Sequence, residues 1–129
     1  MQADVLLGLV NPSGKLAETF PLRYQDTPAY LDFPSGERSL KYSEGIYCGY
    51  KWYDKRDITT LFPFGHGLSY TEFDYKNVST SATSITDQEK LTVSLDVANI
   101  GQRDGAEVVQ LYLSAPENSR THRPIKELK

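Results

Sequence analysis

Leu91, Val93, Leu95 and Val97 alternate with Thr92, Ser94 and Asp96. A period of two sets four aliphatic side chains on one face of a strand and the polar ones on the other, a pattern no helix reproduces. Any fold for this chain must therefore supply a half-buried sheet around residues 91–97. Phe73 to Val78 reads as a strand before it. Ala106 to Leu113 reads as a strand after it, with Val109, Leu111 and Leu113 on one side and Val108 and Tyr112 on the other. Asn99 to Gly105 is a turn or inter-sheet crossing, and the Ser/Thr-rich stretch from Ser79 to Ser84 is a loop. Three short strands separated by polar crossings suggest a sandwich, which takes about seven strands. The sandwich expected here is incomplete.

The preceding region has a different texture. Residues 42–75 hold ten of the fifteen aromatics: Tyr42, Tyr47, Tyr50, Trp52, Tyr53, Phe62, Phe64, Tyr70, Phe73 and Tyr75. Gly45, Gly49, Pro63, Gly65 and Gly67 punctuate them, as suits tightly turning chain whose flat side chains fill a packed junction. Ile46 to Tyr53 is its most strand-like part. Further upstream, Ala3 to Val10 reads as the last turns of a helix ended by Asn11-Pro12-Ser13-Gly14, because proline cannot continue the ladder. Leu16 to Phe20 reads as a short strand closed by Pro21. From Arg23 to Arg38, Pro28, Pro34 and Gly36 break any period, and we assign no element there.

Composition excludes several functions. Hydrophobic residues are 39%, and exchanging the nine Tyr for the nine Gly leaves that share unchanged, against about 45–50% in ordinary globular domains. The core is therefore lean. Fourteen Lys and Arg against seventeen Asp and Glu leave a net charge of −3, which offers no basic field for nucleic acid. The longest apolar run, Val5 to Val10, falls far short of the roughly 20 residues that span a bilayer, so no membrane partner is expected. Cys48 is the single cysteine and the histidines are His66 and His122, so no disulfide or structural metal site is expected. Met1-Gln2-Ala3-Asp4 lacks the cationic start of a signal peptide.

Arg38 to Asp54 (RSLKYSEGIYCGYKWYD) and Leu61 to Thr71 (LFPFGHGLSYT) resemble the C-terminal region of family 3 glycoside hydrolases, the β-glucosidase and β-xylosidase family. Residues 3–21 resemble the end of that family's α/β-sandwich domain. Residues 91–116 followed by 123–129 resemble the opening half of its fibronectin type III-like domain. Cys48 stands where an aliphatic residue is usual, Trp52 where Tyr is, and a proline is usual near Ala17. The resemblance implies a parent that hydrolyses terminal β-linked glucosyl or xylosyl residues by a retaining two-carboxylate mechanism, without metal or organic cofactor. The family's nucleophilic Asp sits in an N-terminal barrel and its acid/base Glu in the body of the second domain. Neither motif occurs in this sequence, so no catalytic residue carries over.

Within the chain, Glu44 and Asp54 flank the aromatic run and are the carboxylate candidates if a local pair does chemistry; equally, both are ordinary turn and strand-end acids. Trp52 and Tyr53 present faces suited to a pyranose, or fill a core. His66, between two glycines, is read as a packed histidine, since no nucleophile motif accompanies it. Asn77-Val78-Ser79 matches an N-glycosylation acceptor.

The fold expected is mainly β: an aromatic-rich, irregular tail of an α/β domain over residues 1–70, then an incomplete immunoglobulin/fibronectin III-like sandwich over 71–129. The functional expectation is a scaffolding piece of a β-glycosidase, with a small carbohydrate-binding module or a minimal glycosidase as alternatives. Uncovered strands carrying Leu91, Val93, Leu95, Val109 and Leu111 predict self-association.

Overall fold

The computed structural model describes residues 2–33, 39–116 and 119–129; part of the loop and of the first resemblance string, residues 34–38, lies outside them. The protein is mainly β. Helix α1 spans Gln2–Leu6, β1 Phe20–Pro21, a 3₁₀ turn Tyr24–Asp26, helix α2 Tyr50–Arg56, β2 Thr60–Phe62, β3 Phe73–Thr80, β4 Val93–Asn99, β5 Tyr112–Ser114 and β6 Lys126–Leu128. The strands form three antiparallel pairs, β1 with β2, β3 with β4 and β5 with β6. Two compact units result: one joins the residues up to Ser13 to Leu68–Glu107, the other joins Gly14–Gly67 to Val108–Lys129.

In the first unit, α1 stops at Gly8, whose φ of +72° only glycine adopts without strain. The Gly8 N–H donates to Val5 O and the Leu9 N–H to Asp4 O, at 2.9 and 2.8 Å, the paired bonds of a Schellman end. Helix termination thus comes three residues before the expected Asn11-Pro12 stop. β3 and β4 pair in the register Tyr75↔Val97 and Lys76↔Asp96, then shift between Lys76 and Ser79. The shift is a bulge at Asn77, whose φ is +52° and whose Nδ2 donates to Asp96 Oδ2 at 2.7 Å. Asn tolerates left-handed backbone and its amide fixes the bulge from the side. Buried Thr71 donates from Oγ1 to Asn99 Oδ1 at 2.6 Å, and the Asn99 amide donates to Arg103 O at 2.7 Å. This network closes the end of the sheet. The alternation is realised as a strand from Val93 onward, leaving Leu91 and Thr92 outside it, and the strand expected from Phe73 runs past Val78 through Ser79 and Thr80, where a loop was expected, because both residues find partners in β4.

In the second unit, α2 replaces the extended chain expected over Ile46 to Tyr53. Gly45 and Gly49 lie at φ +56° and +63°, so the backbone turns twice where a strand must run straight, and the helix starts immediately after Gly49. It ends at Asp57, also left-handed, whose N–H caps Asp54 O and Tyr53 O. The strand expected over Leu16 to Phe20 shrinks to β1. Leu16 instead pairs alone, donating to His66 O and accepting from Gly65 N, both at 2.8 Å. The strand expected over Ala106 to Leu113 is regular only at β5, since among the described residues the ladder from Tyr112 to Ser114 matches the three residues of β6 and no more. In the stretch read as loop, the 3₁₀ turn is clipped by Arg23, whose Nη2 donates to Asp26 Oδ1 at 2.7 Å.

The core is as small as the composition implied. Tyr53, 6% exposed, is the one large hydrophobic residue buried among those described, while Leu31 and Leu6 are 90% and 82% exposed.

Candidate functional site

The second unit gathers its polar and aromatic groups around α2. Tyr50 and Asp54 lie one turn apart on one face of the helix. The Tyr50 ring stacks on Phe64 at 4.8 Å and meets Tyr112 edge-on at 5.9 Å. Its hydroxyl accepts from Leu128 N at 2.9 Å. Lys126 of β6 sets Nζ 3.4 Å from Asp54 Oδ2 and 5.4 Å from the centre of the Tyr112 ring. The Tyr112 hydroxyl donates to Gln110 Oε1 at 2.7 Å, and Gln110 Nε2 donates to Gly65 O at 3.0 Å. Of these, Tyr50, Asp54, Phe64, Tyr112 and Lys126 line a cavity of about 80 Å³ together with Tyr53 and residues of the β1–β2 region. That holds a few waters and lies well under the roughly 300–1,000 Å³ of small-molecule sites.

Asp54 Oδ2 is closed off from solvent without a hydrogen bond, and the Lys126 ammonium is the charge that faces it. Tyr53 and Tyr112 both have phenol pKa values pushed up, chiefly by burial; the carboxylates of Asp26 and Glu44 add to the shift at Tyr53, and Tyr50 and Asp54 to that at Tyr112. Both stay protonated near neutral pH and neither is a ready base.

Trp52 points elsewhere. The Arg56 guanidinium covers one of its faces at 4.4 Å, and its indole N–H is buried without a partner. Glu44 lines a second, larger cavity of about 260 Å³ together with Asp32, Phe33, Leu40, Tyr42 and Ser43, where the Ser43 hydroxyl bonds to Asp32 Oδ2. Glu44 and Asp54 therefore line different cavities, and Asp32 is the carboxylate that shares a cavity with Glu44. His66 tilts against Phe62 at 5.3 Å, while its flanking glycines are demanded by packing. A Cβ at Gly65, φ +78°, would run into the Gln110 amide, and one at Gly67 would meet Gly14 O at 2.7 Å. Among the described residues no three His, Cys, Asp or Glu side chains gather as for a metal.

Sequence reasoning did not single out Asp32, Tyr112 or Lys126. They reach these cavities from segments far apart in the chain, and nothing in their neighbours marks them.

These side chains and strands sit in a glycoside hydrolase segment, as the comparison with known families shows: the chain belongs to glycosyl hydrolase family 3, matching the family's C-terminal domain over residues 1–70. It is 50% identical over 127 residues to thermostable β-glucosidase B of Acetivibrio thermocellus, covering 98% of this chain and 17% of that protein. Probable β-glucosidase K of Emericella nidulans is 51% identical over 128 residues, covering 98% of this chain and 14% of its own length. Among solved structures, β-glucosidase 3B from Thermotoga neapolitana in complex with glucose superposes with a TM-score of 0.88 at 42% identity, covering 99% of this chain and 18% of its own. The β-glucosidase from Kluyveromyces marxianus in complex with glucose gives 0.86 at 46%, covering 98% of this chain and 15% of its own. The chain thus corresponds to a piece, about one sixth, of these β-glucosidases.

Proposed function

We propose that this chain is a scaffolding part of a β-glucosidase, and that the acid and nucleophile of such an enzyme come from outside these residues. One observation carries the reading: the two carboxylates that flank the aromatic run line different cavities, Glu44 the larger and Asp54 the smaller, and Asp54 is paired with Lys126. A retaining glycosidase instead sets two carboxyl groups about 5–5.5 Å apart across one sugar. The whole enzyme's reaction is then hydrolysis of terminal β-linked glucosyl or xylosyl residues. The relatives' names and the glucose bound in the Thermotoga and Kluyveromyces enzymes support this. Residues 1–70 would close its α/β domain, consistent with the family match, and β3 and β4 would open a fibronectin III-like sandwich.

Aryl β-glucoside and β-xyloside assays on the purified chain, with Glu44→Gln and Asp54→Asn alongside, test the reading. The expected result is no turnover from any of the three. Turnover that disappears in a variant that still folds would overturn it.

The larger cavity favours a second reading, sugar binding without catalysis. Its aromatic walls, Phe33 and Tyr42, stand beside the carboxylates of Asp32 and Glu44, a combination that suits the C–H face and the hydroxyls of a pyranose. Calorimetry with gluco-oligosaccharides decides: heat lost in Tyr42→Ala and kept in Trp52→Ala supports it, and no heat from the parent chain removes it.

A further inference from the structure

Residues 69–71 and the 99–105 turn converge on the end of α1. The chain leaving the helix is laced to the first of these: Asn11 Oδ1 accepts from Tyr70 N at 2.7 Å, Asn11 Nδ2 donates to Ser69 Oγ at 3.0 Å, and the Tyr70 hydroxyl donates to Val5 O at 2.8 Å. The turn supplies a cation. Arg103 Nη1 donates to Gly8 O at 2.7 Å, and its guanidinium lies 5.7 Å from the centre of the Tyr70 ring. The approach is close at two points: a Cβ at Gly8 would meet Arg103 Nη1 at 3.0 Å, and one at Gly105 would meet Asn11 Nδ2 at 2.5 Å. A helix end leaves carbonyls without intrahelical partners and favours positive charge beside them, so Arg103 supplies what the end of α1 requires.

What holds Arg103 in place is the sheet. Its carbonyl accepts from the Asn99 amide at 2.7 Å, while Asn99 Oδ1 accepts from Thr71 Oγ1 at 2.6 Å and from Gly101 N at 3.1 Å. Asn99 is the last residue of β4 and pairs with Phe73. A continuous run of polar contacts therefore leads from the β3–β4 ladder through Asn99 and Arg103 to Gly8. We propose that Arg103 is a coupling strut, which makes order at the carbonyl end of α1 depend on the closed β3–β4 sheet. It joins Gly8 and Tyr70, inside the stretch that matches the family's C-terminal domain, to strands that lie beyond that stretch. Coupling of this kind is reciprocal, so the docked helix end steadies the 99–105 turn to the same extent. Asn11 and Tyr70 keep the segment attached when the strut is cut, and loss of Arg103 frees the helix end without unfolding the unit. The coupling is a property of the chain's own contacts and is independent of sugar hydrolysis.

Native-state hydrogen exchange on the full chain tests this. Arg103→Ala is expected to quicken exchange at the Gly8 and Leu9 amides, which close the helix end, by about tenfold, the scale of one charged hydrogen bond. The β3–β4 ladder amides should keep their protection. Asn99→Ala touches neither α1 nor the guanidinium, yet should quicken Gly8 and Leu9 as Arg103→Ala does, and in the double variant the two effects should not add. Gly8→Ala reads the same link from the helix side: it displaces Arg103 Nη1 and should quicken the Gly101 amide, whose acceptor is Asn99 Oδ1. That variant decides even if Asn99→Ala fails to fold. Unchanged exchange at Gly8 and Leu9 in Arg103→Ala overturns the proposal. So do additive effects in the double variant, or a Gly101 amide indifferent to Gly8→Ala, because each would mean that helix end and sheet are ordered independently.

Discussion

The β3–β4 sheet and the α2 cradle are built on different interactions, and the difference decides what each can tolerate. The sheet rests on a backbone ladder closed by short polar side chains: Asn77 on Asp96, Thr71 on Asn99, Asn99 on Arg103. The cradle has few backbone links. Tyr50 against Phe64 and Tyr112, and the Lys126 ammonium beside Asp54, hold the β5–β6 pair to the helix. Ladder bonds depend on backbone geometry and respond to any residue that displaces it. Aromatic and ionic contacts respond to side-chain truncation, salt and pH, and pass unnoticed through many backbone changes.

The largest effect should come from the cradle's one buried ring. Tyr53→Ala leaves a cavity under α2 and is expected to cost about 3–5 kcal/mol, as aromatic truncations do. Hydrogen exchange should show lost protection in the unit around α2. Equal loss in β3 and β4 would mean that the two regions fold as one and would break the comparison. Next is a backbone test of the sheet. A Cβ at Gly101 would overlap Thr71 Oγ1 and come within 3.0 Å of Glu72 N, so Gly101→Ala must shift main chain and should cost about 1–3 kcal/mol. Chemical denaturation with exchange readout should place that loss in β3–β4. A smaller effect is expected from Tyr50→Phe, which keeps the stack on Phe64 and removes only the acceptor for Leu128 N. About 1 kcal/mol or less is at stake for one exposed bond, read as faster exchange at Leu128.

What the sequence revealed follows the same division. Val93, Leu95 and Val97 betray β4 because strand alternation is local and needs only neighbours in sequence. The family segment was equally legible, since its motifs keep their order along the chain. α2 was hidden because seven residues contain too few turns to display a helical period, and because its start depends on Gly45 and Gly49 taking left-handed backbone, an option that glycine permits and does not announce. Lys126 and Gln110 could not have been assigned to the cradle at all. Their partners, Asp54 and Gly65, are brought near only by folding. The shortness of β5 has a similar cause: Ala106 to Leu111 carry strand-like residues, yet a strand exists only where a partner offers a ladder, and β6 has three residues.

The smallest effect is electrostatic and separates the two regions most cleanly. The Glu127 carboxyl of β6 is held below its ordinary value of 4.5, first by the hydrogen bond from Lys129 and its charge, then by Lys51 of α2. A carboxylate with a folded-state pKa below its unfolded value stabilises the fold above the unfolded value, and that stabilisation is lost as pH falls through the folded one. Most of this hold is local to the chain end, through Lys129, and the smaller part reaches α2, since Lys51 Nζ lies 3.7 Å from Glu127 Oε1, so acid should weaken both the end of β6 and its link to α2. Amide exchange at Glu127 to Lys129 is expected to quicken below about pH 4.5, and molar salt at pH 7 to produce a weaker version of the same change, because the group is exposed and screened. In the sheet, Asn77 also leans on a carboxylate, Asp96, but its bulge is secured by backbone register on both sides. Acid that loosened β3–β4 before β6 would show that the sheet depends on charge more than its ladder suggests.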